Sequence, residues 1–149
     1  MLLLGTKNVG TQTVLADGTI NLGSVYRKYC KKNACGVTTF SRTANDITLQ
    51  QSGIYHITAV LVGTGETAGD VTVQLLENGE VVDGAVSTQT ITTATTEFRT
   101  FVIDYYVLVD CDNILGRNST VAKTISLTNA SDAIDATFTS VVVNVTKEV

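Results

Sequence analysis

A single carboxylate, Asp104, stands between Ile103 and Tyr105 inside the apolar run "TFVIDYYVLVD". Such a group needs a partner if it is covered, and Arg99, a few residues upstream, is the candidate the sequence offers. That pair would set register and specificity rather than do catalysis. His56, the one histidine, sits in "IYHIT" with Ile54 and Thr58 on its own strand face. A Ser-His-Asp relay would have to recruit this residue, and no nucleophile elbow accompanies it, so it reads as a satisfied core or interface histidine. "DCDN" offers Asp110, Asp112 and Asn113 as oxygen ligands for calcium, but the dozen-residue calcium loop is missing and ordinary turn chemistry explains the same residues. Cys30 and Cys35 could close a small loop if oxidised or remain free thiols; a zinc set is not supported, and Cys111 reads as a small buried hydrophobe. "GTGETAG" has the glycines of a phosphate loop without its Lys and Ser/Thr, and reads as a mobile strand connection. The inventory therefore predicts no catalytic residue and no cofactor.

The totals narrow the classes further. A chain of 149 residues, 44% hydrophobic and 16% charged, is one domain with a real core. Its net charge of −4 argues against a phosphate-backbone partner. "YRKYCKK" is the one basic cluster and reads as a solvated loop or interaction patch. Nothing is apolar for long enough to span a membrane, and "MLLL" lacks the length and basic flank of a signal peptide. The glycosylation triplets at Asn118, Asn129 and Asn144 are then chance products of a Thr-rich chain.

The elements that must position these residues are strands. Thr and Val recur in alternation, proline is absent, and turn dipeptides punctuate the chain. Asp17-Gly18 and Asn78-Gly79 each predict a two-residue hairpin. "GVTTF" and "DITLQ" flank "RTAN", and "GIYHITAVLV", "VTVQLL", "VVDGAV", "EFRTFVIDYYVLVDC", "VAKTISL" and "ATFTSVVVNV" follow. About ten strands predict an all-β, two-sheet antiparallel sandwich or jelly roll. Residues 1–36 read as an attachment arm or extra edge strands, and residues 37–149 as the jelly-roll domain.

A two-layer sandwich gives each strand one buried face, yet Glu97 to Cys111 is apolar on both. Phe101, Ile103, Tyr105 and Val107 share one face; Val102, Tyr106 and Leu108 share the other. The last strand repeats this with Phe138 and Val142 against Val141, Val143 and Val145. Burying one such side chain is worth about 1.5–3 kcal/mol, so the second face predicts a subunit interface. An intrachain loop covering the strand is the competing explanation. Closed symmetry favours a ring of identical copies.

"LQQSGIYHITAVLV" followed by "VTVQLLENGEVV" resembles the jelly roll of tumour necrosis factor and the complement globular head. The shared features are the Gly53-Ile54-Tyr55 strand start, the strand from Val73 ending at the Asn78-Gly79 turn, the strand feeding an Asp-bearing turn at Val107 to Asp112, and the apolar closing strand Phe138 to Val145. The resemblance runs from about Val37 to the end and implies a homotrimer with aromatic residues on the threefold axis. On that carry-over Tyr55, Phe101, Tyr105 and Tyr106 are axis or core candidates, and the interface set is these four with Ile103, Asp104 and Val107. "NVGTQTV", "LGSVYRKYC" and "GVTTF" are similar to short structural proteins of phages and prophages of gut Firmicutes. That similarity implies a non-enzymatic virion component: a head fibre, decoration or tail-associated trimer, made in the host cytoplasm, joined to other virion proteins through its N-terminal arm and able to attach to a host surface glycan. Secretion signals and a collagen stalk, usual beside cytokine and complement heads, are not seen. The alternative is a carbohydrate-binding or adhesin module, although tryptophan is absent and aromatics make up 6%.

Overall fold

β-Branched residues at alternate positions give each segment one face to bury. In β6 (Gly53–Gly65), Tyr55, Ile57, Ala59 and Leu61 are fully buried while Ile54, His56, Thr58 and Val60 point the other way. The computed structural model describes residues 2–29, 38–112, 119–120 and 122–148. Eleven of its strands form two antiparallel sheets. One sheet runs in the order β3 (Ser24–Lys28), β1 (Leu2–Asn8), β13 (Ala136–Lys147), β6 and β9 (Arg99–Val109), with β2 (Gln12–Val14) also on β13. The other runs β4 (Thr38–Ser41), β5 (Asp46–Leu49), β12 (Lys123–Asn129), β7 (Gly69–Glu77) and β8 (Glu80–Ile91). A separate ribbon pairs β10 (Cys111–Asp112) with β11 (Ser119–Thr120). Strands distant in sequence are neighbours, β1 with β13 and β5 with β12, which makes the sandwich a jelly roll.

The core lies between the sheets. Phe101 of β9 meets Phe138 of β13 edge-on, with centroids 6.1 Å apart at 71°. Tyr55 is buried toward the other end of β6, opposite Val107, and its phenol donates to the Gln51 carbonyl at 2.7 Å. Burial pushes that phenol above its ordinary pKa, and the bond to Gln51 partly offsets the rise. The N-terminal stretch is woven into this core: β1 lies between β3 and β13, and Leu3, Leu4, Ile20 and Leu22 are buried.

Turn chemistry explains two connections and corrects two readings. Asn78 and Gly79, at φ 53° and 79°, close the β7–β8 hairpin with Glu77 opposite Glu80. Asp17 also has positive φ, 64°, yet Asp17-Gly18 makes no hairpin. It carries the chain from β2 in one sheet to Thr19, which bridges Thr128 in the other. The buried Asn129 side chain fixes this crossover, as it donates to the carbonyls of Val14 (3.0 Å), Leu15 (3.4 Å) and Ile134 (2.9 Å) and accepts from Ser131. "GTGETAG" does connect two strands, but only residues 66–68 lie outside them, before β7 opens at Gly69. Gly63 and Gly65 belong to β6, and a Cβ on Gly63 would lie 2.5 Å from the Phe138 ring. The Glu66 amide is held by the Asp135 carbonyl at 2.9 Å.

Candidate functional site

The two outer faces of the sandwich differ in kind. The outer face of the five-stranded sheet presents Thr48, Thr72, Thr88, Thr90, Thr124, Ser126 and Thr128, with Val86, Leu76 and the exposed Val81 as interruptions. Its hydroxyls are satisfied locally: Thr72 and Thr88 pair at 2.9 Å, and Thr90 donates to Asp70 at 2.7 Å. This is the polar-out alternation of a solvated sheet.

The six-stranded sheet carries exposed apolar side chains on its outer face as well. Ile54 and Val60 of β6 face outward with Val102, Tyr106 and Leu108 of β9, the last three each more than half exposed. Val142 of β13 continues the patch beside Val60. Each remaining half-exposed side chain offers about 1 kcal/mol on further burial, so together they would contribute about 5 kcal/mol per copy. The register sets the outer residues in rows: Ile54 with Leu108, His56 with Tyr106 and Thr146, Thr58 with Asp104 and Asn144, Val60 with Val102 and Val142.

This geometry sorts the predicted interface residues. Tyr55, Phe101, Ile103 and Val107 are buried between the sheets of one chain, and Tyr105, partly buried, packs against the same core. The first four therefore offer no surface to a second copy. Asp104 and Tyr106 lie on the outer face. The sequence grouped Val102 and Leu108 with Tyr106, and Ile54 with His56, on shared strand faces, but left these four out of the interface set. The parity of Asp104 was the available signal, because an ionised carboxylate marks the face that is not core.

Asp104 does not pair with Arg99. Its partner is His56, whose Nε2 contacts Asp104 Oδ1 and whose Nδ1 lies 3.9 Å from Glu148 Oε1. The imidazole stacks on Tyr106 with centroids 4.5 Å apart and planes at 10°. Two strands side by side bring His56 over Asp104 diagonally, since Thr58 is the residue directly opposite Asp104. Arg99 pairs instead with Glu97, just before β9. The Glu97 carboxylate caps the β8–β9 loop, accepting from the amides of Thr92 (2.7 Å) and Thr93 (2.9 Å) and the Thr92 hydroxyl (2.8 Å). These bonds, the Thr93 amide foremost, with Arg99 adding its charge, lower the Glu97 pKa to about 2. A carboxyl depressed in the folded state stabilises the loop above its ordinary value of 4.5 and releases it as pH falls toward 2. Carboxyl-detected NMR should therefore show Glu97 titrating near 2 in the folded chain; a midpoint near 4.5 would contradict the cap.

The other singled-out residues are not brought to this face. Asp110 is exposed just after β9. Asp112 contributes backbone to β10, and Asn113, Cys30 and Cys35 fall outside the described residues, as does the side chain of Cys111. Among the described residues no group of three metal-ligating side chains is placed to hold an ion. Asn129 is fully buried, so its glycosylation triplet offers no acceptor. Two open clefts, one of about 450 Å³ lined by Lys7, Asn8, Asn21 and Arg42 and one of about 510 Å³ lined by Glu77, Glu80, Asp83 and Lys123, lie away from His56. Among the described residues no helix is long and apolar enough to cross a membrane.

Comparison with known proteins gives the fold its class. No family model and no curated protein matches the sequence. Solved structures do match over nearly the whole chain. Eiger TNF from S. frugiperda superposes with a TM-score of 0.66 at 10% identity, covering 99% of this chain and 93% of that one. The globular domain of zebrafish complement 1qA protein gives 0.61 at 6% identity, covering 97% of each. The PRD1 vertex protein P5 gives 0.53 at 18% identity, covering 98% of this chain and 96% of that one. The chain thus has a TNF-like jelly-roll fold, shared with cytokine, complement and vertex proteins alike.

Proposed function

We propose that this chain is a non-enzymatic structural protein of a virion, a homotrimer whose subunits cover one another's six-stranded sheets. The observation that carries the reading is the contrast between the two outer faces, one hydroxyl-rich and one carrying two exposed apolar rows, Ile54 with Leu108 and Val60 with Val102 and Val142. A solvated monomer has no use for the second, while identical copies around a closed ring remove it from water. The basic edge strand β3, exposed along its length with Tyr26, Arg27 and Lys28, is free to contact other virion proteins, and a host surface glycan is a further candidate partner. Likeness of fold to a vertex protein agrees with this reading. The experiment is to purify particles from an induced culture of the encoding bacterium and to look for peptides of this chain by mass spectrometry. Co-purification with the capsid in fixed stoichiometry is expected; peptides confined to the particle-free lysate would overturn the assignment.

A further inference from the structure

The outer face that the proposed trimer covers is not uniformly apolar: two of its four rows are polar, and they meet at an ionisable ring. His56 has a carboxylate at each nitrogen, Asp104 from β9 at Nε2 and Glu148 after β13 at Nδ1. From β9 it also meets Tyr106, stacked on its ring, and from β13 Thr146, whose hydroxyl donates to Glu148 at 3.1 Å. Lys147 turns to the opposite side, where its Nζ lies 5.9 Å from the centre of the Tyr55 ring. No cation among these neighbours offsets the two carboxylates except the imidazolium itself. On one side of the cluster lie Ile54 and Leu108; on the other, beyond Thr58 and Asp104, lie Val60 and Val102. A second copy that covers both apolar rows must also cover the cluster between them.

Resting on the self-association reading above, we infer that His56 makes this assembly proton-dependent: the protonated ring bridges Asp104 and Glu148 within the interface, and its loss of the proton drives the copies apart. The physics is one of charge and donors. An imidazolium donates from Nε2 to Asp104 and places its charge 3.9 Å from Glu148, so the cluster carries one net negative charge. A neutral ring leaves one nitrogen lone pair facing a carboxylate, and the cluster carries two negative charges. Covering it with another copy removes the water that screens this excess, so the unprotonated cluster is the costlier one to bury. The assembled state therefore binds the proton more tightly than the separated chains. The sign follows: assembly is strongest where the imidazole carries its proton and weakens as rising pH removes it. Each proton that the assembly binds beyond those bound by the separated chains changes the association constant tenfold per pH unit.

Sedimentation velocity over a concentration series at pH 5.5, 7 and 8.5 tests this at fixed ionic strength. The wild-type midpoint for assembly is expected to rise at least about tenfold from the lowest pH to the highest. His56→Gln, which keeps the size and polarity without the charge, should assemble with a midpoint that varies less than about threefold across the range. Asp104→Asn with Glu148→Gln, which removes the repulsion, should assemble better than wild type at pH 8.5. His56→Phe provides a second pH-insensitive variant should the glutamine fail to fold. A wild-type midpoint that is flat or falls with pH, or an equal pH response in the His56 variants, overturns the proton dependence while leaving the surface standing. A wild-type chain that stays monomeric at every pH removes the surface itself, and the inference with it.

Discussion

Leu108→Asp is expected to give a folded chain that no longer self-associates. Leu108 is more than half exposed on the outer face of β9, opposite Ile54, and makes no contribution to the core. In the assembly, the new carboxylate would be buried against apolar neighbours with no cation beside it. The loss of the leucine contact and the charge burial together cost about 3 kcal/mol or more at each interface, enough to weaken association at least about a hundredfold. The far-UV circular dichroism of the variant should match wild type, and light scattering should report the mass of one chain, 15.8 kDa. Val107→Asp, one residue away, is the contrasting case. Val107 is fully buried between the sheets, so its carboxylate would enter the core and unfold the chain rather than separate copies. If Leu108→Asp assembles like wild type, or if Val107→Asp stays folded and merely dissociates, the two faces of β9 have been assigned the wrong way round.

Asn129→Asp is expected to be among the most destabilising single-atom changes in the molecule. The Asn129 amide donates to the carbonyls of Val14, Leu15 and Ile134 at full burial, and its oxygen accepts from the Ser131 hydroxyl at 2.5 Å and amide at 3.2 Å. The backbone of the same residue exchanges bonds with Asp17 and Gly18. One side chain thus ties β2, the crossover and the entry to β13 together. A carboxylate keeps the shape but places an acceptor where three carbonyls need a donor. Unsatisfied buried groups cost about 1–3 kcal/mol each, so a loss of about 4 kcal/mol is expected, and roughly 10–15 °C in Tm. Asn129→Ala should lose a similar amount by leaving the same carbonyls unpaired. Calorimetry that places either variant within about 2 °C of wild type would contradict this role.

The fold class was legible because its signals are local. Thr/Val alternation, the Asn78-Gly79 turn and the absence of helical periodicity each report on a few adjacent residues, and together they define strands and hairpins. Asp17-Gly18 misled because the dipeptide encodes only a local backbone shape. Whether that shape joins two paired strands or two sheets depends on Asn129, more than a hundred residues away. "GTGETAG" misled in the same manner, since its glycines answer to close neighbours, Gly63 to the Phe138 ring and Gly65 and Gly69 to Ile134. The double-faced β9 was visible as an anomaly, but the choice of core face rested on aromatic residues that occur on both sides. Asp104 carried the missing information: its even parity, shared with Val102, Tyr106 and Leu108, marks the outward face. The pairing of Asp104 with His56 was not legible, because it depends on the register of β9 against β6, which no stretch of either strand specifies alone.

The claim on which the account rests is that the six-stranded sheet of one chain is covered by identical chains. Sedimentation equilibrium of the wild-type protein at pH 6 measures this without labels or variants. The account predicts a single species of three times the 15.8 kDa chain mass, held over a wide dilution range. A species that remains at 15.8 kDa at the highest attainable concentration would show that the apolar face serves some other purpose and would contradict the account.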